Sequence, residues 1–204
     1  MVSRRRFLAA VAGASLGAVL AAVWWRWGGA GGGEAGGVRR CGEVRLVYGR
    51  EECPVCKMVV DYPPSAAAMR ARVRGVERWY FFDDVGCMAV WYREVKRQGG
   101  EVLEVCVRDR VDGSWIRGED AVYLATGEFT AMQTGIVAVS PDNVEAYKRG
   151  VVKGPWRIET LDGPQDYSPP PPGEVRGVVD FKCLVEKFDY GAAWSVDPNW
   201  HRGC

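Results

Sequence analysis

Apolar residues recur along the chain with two spacings, and the spacing predicts which segments form strands and which form helices. Between residues 85 and 97 they recur at helical spacing, with Asp83 or Asp84 available as the N-cap and Gly99-Gly100 available to end the helix. Short alternating or continuous apolar runs predict strands instead. These runs lie at 44–48, 66–73, 78–82, 102–108, 114–116, 121–124 and 135–139.

The second half of the chain loosely repeats the element order of the first half. After the strand at 135–139, a helix is expected to open at Pro141 and to run to about Arg149, because proline is favourable in a first helical turn. Val151-Val152 is then expected to start a final strand. The pattern therefore predicts an α+β fold of two small β-β-α-β units, one over 41–108 and the other over 109–162.

The N-terminal segment 1–27 is expected to direct export or to anchor the protein in a membrane. Residues 3–8 (SRRRFL) resemble a twin-arginine export signal, and residues 7–25 carry no charge. The uncharged run is also long enough to cross a bilayer core of roughly 30 Å, and the arginines would then serve only as its positive flank. A glycine-rich linker at 28–40 follows. Both alternatives place the domain outside the cytoplasm, either anchored to the membrane or released after export.

The C-terminal segment 163–204 joins a proline-rich linker, at 168–172, to a tail whose fold the apolar pattern does not specify. One interpretation is a flap that packs over the domain or is held by a disulfide bond. The other interpretation is a second metal-binding tail that uses His201 and Cys204.

Charge and composition exclude some classes of function. The chain carries 27 basic and 26 acidic residues with no continuous basic stripe, so we predict no nucleic-acid binding. The sequence shows no catalytic triad, phosphate-binding loop or pair of carboxylates at a useful spacing. We therefore predict that the protein is not an enzyme.

Seven cysteines are many for a chain of this length. Outside the cytoplasm some are expected to form disulfides, and the odd number leaves at least one thiol free, metal-bound or paired with another chain. Cys106 lies in an apolar strand pattern and is expected to be a buried small side chain rather than a ligand. His201 is the only histidine, so a metal site must be built mainly from sulfur and carboxylate.

Three soft sulfur donors lie within six residues in the motif Cys53-Pro54-Val55-Cys56-Lys57-Met58. Thiolate and thioether ligands together favour Cu(I), whereas zinc sites rarely recruit methionine. If the apolar run 58–60 is a strand, the side chains of Cys56 and Met58 lie on the same face and can reach one ion. Taken alone, a Cys-x-x-Cys pair also fits a zinc knuckle, a redox pair or a structural disulfide.

Three blocks of the sequence, in order, resemble the NosL family of nitrous oxide reductase accessory proteins. Residues 56–59 (CKMV) lie where the family usually has Cys-Gly-Met. Residues 81–88 (FFDDVGCM) are similar to its Phe-Asp-Asp-x-x-Cys-Met helix start. Residues 130–139 (TAMQTGIVAV) are similar to its Pro-Met-Gly turn before a strand. The departures are Lys57 for the glycine of the first block, Ala131 for the proline of the third, and the absence of a lipobox before Cys41.

This resemblance implies an extracytoplasmic Cu(I) carrier that supplies nitrous oxide reductase, with two β-β-α-β units in a fold shared with organomercurial lyase. Carried over by position, the soft ligands are Cys56, Met58 and Met132. Cys53 and Cys87 are further candidate thiols for the same site. Asp83 and Asp84 are expected to cap the helix, to support the ligands or to dock a cationic client.

Two rival interpretations remain open at the level of sequence. An exported thiol–disulfide oxidoreductase would use Cys53 and Cys56, although such pairs usually lie at a helix start, where the thiolate pKa falls. Here the pair precedes a β-rich run. A structural zinc or disulfide domain that presents an interaction surface is the second rival, and it assigns no role to Met58 or Met132.

Overall fold

The structure is a computed structural model, and it describes residues 38–189. The predictions for segment 1–27, for most of the linker, and for His201 and Cys204 lie outside these residues. In chain order the strands and helices are β1 Val47–Tyr48, β2 Ala67–Val73, β3 Val76–Phe82, α1 Val85–Arg97, β4 Glu101–Arg108, β5 Trp115–Arg117, β6 Val122–Thr126, β7 Ile136–Val139, α2 Val144–Lys148, β8 Trp156–Thr160, β9 Gly163–Tyr167, β10 Val175–Val179 and α3 Phe181–Lys187.

The described strands form three small sheets. The largest has the order β3-β2-β4-β5 and is antiparallel throughout. A second has the order β10-β6-β7, and the third has the order β1-β8-β9, in which β1 runs parallel to β8. Helices and mainly antiparallel sheets together confirm the predicted α+β class. Within residues 38–189, no helix is long and apolar enough to cross a membrane.

The β-β-α-β order occurs twice along the chain, but only the first set shares one sheet. Strands β2, β3 and β4 pair directly, and α1 connects β3 to β4. In the second set, β6 and β7 pair with each other, whereas β8 pairs with β1 and β9. The last strand of the second set therefore joins the strand that precedes the cysteine motif.

Helix α1 spans the predicted residues, and its boundaries follow from local chemistry. The side chains of Val85, Met88, Ala89 and Val95 are buried on one face, as the helical spacing predicted. Gly99 adopts a left-handed conformation (φ +69°) just after the last turn, where glycine costs least. Burial of each large apolar side chain on this face contributes about 1.5–3 kcal/mol to the free energy of unfolding.

The predicted strand at Val151-Val152 is wrong. The N–H of Gly150 donates to the carbonyl of Tyr147 and that of Val151 to the carbonyl of Ala146, with Gly150 at φ +75°. Gly150 and Val151 therefore belong to a Schellman motif that ends the helix. The strand begins at Trp156 instead. The helix predicted over 141–149 is present, but its first turn is a 3₁₀ turn over 141–143 and α2 follows it.

Segment 163–189, for which the sequence specified no fold, packs on the rest of the domain. Strand β9 pairs with β8, β10 pairs with β6, and α3 packs against α1. Leu184 and Phe188 are fully buried in the main apolar core. Cys183 is disulfide-bonded. We refer to residues 163–189 as the C-terminal extension.

A disulfide bond joins Cys41 to Cys106, whose Cα atoms are 6.0 Å apart. Cys106 is buried in β4, as predicted, but the sequence did not predict its bond. The chain from Arg39 to Cys41 runs beside β5, because Cys41 N–H donates to the Trp115 carbonyl and Arg117 N–H donates to the Arg39 carbonyl. The disulfide therefore fixes the beginning of the domain to the largest sheet.

Replacing both Cys41 and Cys106 by alanine is expected to lower the free energy of unfolding by about 2–4 kcal/mol. The disulfide connects residues 65 positions apart and so restricts a long loop in the unfolded chain. Urea unfolding followed by circular dichroism measures the change. The single variant Cys41→Ala should lose nearly as much, because it opens the same loop. Equal stability of wild type and double variant would contradict this account.

Candidate metal centre

Three thiols and one carboxylate converge at one end of α1. The Sγ atoms of Cys53, Cys56 and Cys87 and a carboxylate oxygen of Asp83 all lie within 4.8 Å of one another. Two ligand atoms that each bind an ion at about 2.3 Å can be at most about 4.6 Å apart. The four atoms are therefore close enough to surround a single ion after a small contraction. We call these four residues the thiol cluster.

The cysteine motif is a closed turn, and the run 58–60 that follows it is not one of the strands of the structure. Lys57 N–H donates to the carbonyl of Cys53 at 3.0 Å, and Cys53 N–H donates to the carbonyl of Met58 at 2.8 Å. Val59 forms only an isolated bridge with Glu52. The strand argument for a shared face of Cys56 and Met58 therefore does not apply. The turn instead leaves the Met58 side chain exposed, at 42%.

The corner between β3 and α1 supplies the other half of the thiol cluster. Asp83 is fully buried, and its carbonyl accepts from Ser65 Oγ at 2.6 Å. Its Oδ2 lies 3.3 Å from Cys56 Sγ, whereas its Oδ1 is buried without a hydrogen-bond partner among the described residues. Cys87 lies in the first turn of α1, four residues after Asp83, and is fully buried. An unpaired buried oxygen next to three thiols suits a site that receives a cation.

The hydrogen bonds among the thiols place the negative charge of the cluster on one sulfur. Donation from Cys56, and then from Cys87, lowers the pKa of Cys53, while the bond to Cys53 raises the pKa of Cys56. The single Cys56 proton can point to Cys53 or to Asp83, but not to both. Burial, followed by the nearby Cys56, raises the pKa of Asp83 to about 7. Cys53 is thus the thiol most readily held as thiolate, because both other thiols donate hydrogen bonds to it.

Asp84, the other acidic residue at this corner, caps α1 and fastens a second loop. Its Oδ1 accepts from Gly86 N–H at 2.7 Å, and both of its carboxylate oxygens lie 2.9 Å from Thr134 Oγ1. Its Oδ2 also accepts from Met132 N–H at 3.3 Å. Burial raises the pKa of Asp84 to about 6, and these hydrogen bonds oppose that shift. The adjacent aspartates therefore have separate roles, one facing the thiols and the other joining α1 to the Met132 loop.

Met132 lies in the loop between β6 and β7, which we call the Met132 loop (residues 127–135). Its side chain is partly buried against the main core. Ala131 N–H approaches Ser65 Oγ at 3.4 Å, and the same Ser65 hydroxyl donates to Asp83. The hydroxyls of Thr130 and Thr134 lie 3.1 Å apart and close the loop from within. The Met132 backbone is thus held beside the thiol cluster by side chains from both sides.

The structure brings three of the five predicted ligands together, namely Cys53, Cys56 and Cys87. Met58 lies in the same turn as Cys56, and the Met132 backbone is bonded to the corner that carries Asp84. Metal binding by these five residues stays a prediction. Sequence reasoning treated Asp83 as a helix cap, a support for the ligands or a docking residue for a client, but not as a ligand. The signal that could have found it is the pair of adjacent aspartates, since a helix needs only one N-cap.

Residues 46–140 match the model of the NosL family. This segment belongs to the NosL family. It contains the whole thiol cluster and both candidate methionines, whereas the C-terminal extension lies beyond it. Among solved structures, the chain is similar to the crystal structure of the copper chaperone NosL from Shewanella denitrificans. The sequences are 17% identical, the match covers 51% of this chain and 84% of that one, and the TM-score is 0.38. No curated protein matches the sequence.

Two residues beside the candidate methionines have positive φ although they are not glycine. Lys57 precedes Met58 at φ +66°, and Gln133 follows Met132 at φ +56°. Lys57 occupies the position where the NosL pattern described above has glycine. A left-handed conformation costs a residue with a Cβ roughly 1–2 kcal/mol, so each turn is formed at a cost that glycine avoids.

Replacing Lys57 by glycine is expected to raise the free energy of unfolding by about 0.5–1 kcal/mol. The gain is the relief of the left-handed conformation less the larger entropy of glycine in the unfolded chain. Chemical denaturation measures it, and Lys57→Ala is the matched control, because alanine removes the charge but keeps the Cβ. A Lys57→Gly variant no more stable than Lys57→Ala would contradict the assigned backbone cost.

Proposed function

We propose that this protein is an extracytoplasmic Cu(I)-binding chaperone that delivers copper to a client cuproenzyme, with nitrous oxide reductase as the expected client. The observation that carries the proposal is the convergence of three thiols beside two methionine-bearing loops, all within a NosL-family segment. Sulfur ligands of this kind select Cu(I) over harder divalent ions. Copper is cargo in this proposal and is not consumed in a reaction.

The exposure of the ligands supports uptake and release from one side. Cys53 and Cys87 are buried, Cys56 is partly exposed, and Met58 is exposed. An ion held by these residues would have Cys53 and Cys87 on its buried side and Cys56 and Met58 on its solvent side. A client thiolate or thioether could therefore replace the outer ligands one at a time. Each thiol that binds Cu(I) gives up its proton to solvent or to Asp83.

A structural zinc site is the second candidate, and Asp83 is the observation that favours it. Three thiolates and one carboxylate form a four-donor set of the kind that zinc accepts. This alternative gives no role to Met58 or Met132. The oxidoreductase alternative has less support, because Cys53 and Cys56 lie in a turn instead of at the N-terminus of a helix.

Replacing Met58 and Met132 together by leucine is expected to weaken Cu(I) binding about tenfold or more, which corresponds to about 1.4 kcal/mol. Leucine keeps the size of methionine and removes only the sulfur. Anaerobic titration of the reduced protein against a competing chromophoric Cu(I) chelator measures the affinity. Cys56→Ser should abolish tight binding, because it replaces one of the three soft sulfur ligands by a hydroxyl oxygen.

Met69→Leu is the matched control for this titration, since Met69 is fully buried in β2 and is not a candidate ligand. It should bind Cu(I) as the wild type does. Equal affinity of the double variant and the wild type would remove both thioethers from the site. Tight zinc binding that is indifferent to the methionines, together with weak Cu(I) binding, would favour the structural alternative.

The export proposal has its own test in the arginines of the SRRRFL motif. Replacing Arg4 and Arg5 by lysine is expected to leave the protein in the cytoplasm, because a twin-arginine signal requires the two arginines. Arg6→Lys is the matched control and should be exported normally. Cell fractionation with an epitope-tagged full-length chain measures the distribution. Normal export of the double variant would favour a simple anchor, for which lysine is an equivalent positive flank.

A further inference from the structure

The C-terminal extension contacts the beginning of the Met132 loop and packs close to its end. The extension lies beyond the NosL-matched segment, yet its strand β10 pairs with β6, which leads directly into that loop. The loop then returns through β7 to the core. The extension is therefore attached to the strand from which the loop begins.

At the first end of the loop, a buried cation fastens the proline-rich part of the extension. Arg110 is fully buried, and its Nη2 donates to Glu128 Oε2 at 2.9 Å and to the Pro170 carbonyl at 2.7 Å. Tyr147 donates a further hydrogen bond to Glu128 at 3.0 Å. Breaking one side of such a buried pair is costly, because the remaining charge loses its partner. Glu128 and the proline segment are thus held together through one guanidinium.

The backbone of the extension also packs closely against the backbone at the beginning of the Met132 loop. Gly127 N–H donates to the Glu174 carbonyl at 3.1 Å. A Cβ atom on Gly173 would lie only 2.6 Å from the backbone nitrogen of Glu128, so a larger residue does not fit there. The extension therefore touches the beginning of the loop backbone to backbone.

At the other end of the loop, Phe188 packs where the loop meets the start of α1. A Cβ on Gly86 would lie 2.6 Å from two ring carbons of Phe188 and 3.0 Å from Thr134 Cγ2. The Phe188 ring is fully buried. Gly86 precedes Cys87 of the thiol cluster, and Thr134 lies two residues after Met132. One aromatic ring therefore contacts the helix turn that carries a thiol and stands close to the end of the loop that carries the thioether.

We propose that the C-terminal extension is a clamp that fixes the Met132 loop against the start of α1 and so sets the position of the Met132 thioether for Cu(I). This inference rests on the proposed function for its consequence, but the clamp itself is a property of the metal-free protein. Fixing a ligand before binding reduces the entropy lost on binding and raises affinity. Phe188 is a positioning residue in this scheme and does not touch the ion.

The first arm of the experiment measures hydrogen exchange in the metal-free protein. Phe188→Ala is expected to increase exchange at the amides of 130–135, where Met132, Gln133 and Gly135 donate hydrogen bonds. Phe181→Ala is the matched control, because Phe181 begins α3, the helix that Phe188 directly follows, and its ring packs on Tyr92 and Tyr123 instead. In Phe181→Ala, the amides of 130–135 should exchange as they do in the wild type.

The second arm measures Cu(I) affinity in a double-mutant cycle. Phe188→Ala is expected to weaken binding about tenfold, as supporting residues of metal sites commonly do. The loss should nearly vanish in the Met132→Leu background, because the clamp then has no thioether to position. A general structural defect would instead weaken binding equally in both backgrounds.

The outcomes separate the two proposals. Unchanged loop exchange in Phe188→Ala, or an affinity loss that is the same with and without Met132, would overturn the clamp. A wild-type protein that binds no Cu(I) would overturn the proposed function, while loop exchange would still decide whether the extension fixes the loop. If Phe188→Ala does not fold, Phe188→Leu keeps most of the buried volume and is used in both arms with the same expected direction.

Discussion

The arrangement of the candidate metal centre depends on the hydrogen bonds that the buried carboxylate of Asp84 accepts. It is fully buried and accepts hydrogen bonds from the first turn of α1 and from both the backbone and a side chain of the Met132 loop. A buried carboxylate without partners would be very costly, so the two elements are held in the one arrangement that satisfies it. Asp83 directly precedes Asp84, and Cys87 follows it by three residues. The hydrogen bonds of Asp84 therefore also determine where these two residues lie relative to the Met132 loop.

The centre itself is asymmetric, and the asymmetry comes from backbone more than from side chains. A closed turn places Cys53 inside and Cys56 near the surface, while the helix start holds Cys87 inside. Met58 belongs to this same turn, and the Met132 backbone is bonded to Asp84; each methionine has a residue of positive φ next to it. The three thiols thus have two buried members and one that is partly exposed to solvent. Such a geometry suits a protein that must hold an ion and then surrender it to another protein.

Local features of the fold were predictable, whereas pairings distant in sequence were not. Helix α1 was predictable because its apolar spacing, its acidic cap and its glycine stop all agree. The left-handed conformation of Lys57 was not, since lysine gives no sign of positive φ, and it separates Cys56 from Met58, so the two do not share a strand face. The cysteines were predictable as soft ligands from residue type and spacing. Their meeting with Asp83 depends on the sheet and helix packing, and the pairing of β1 with β8 has no local signal.

The segment that matches the NosL family does not contain all the partners of its own strands and core residues. Strand β1 pairs with β8 and β6 pairs with β10, and both partners lie beyond residue 140, as do Leu184 and Phe188 of the core. A protein shortened to residues 46–140 would present unpaired strand edges and uncovered apolar side chains to solvent, a combination that promotes self-association. In this chain, strands and core residues outside the matched segment complete the sheets and the core.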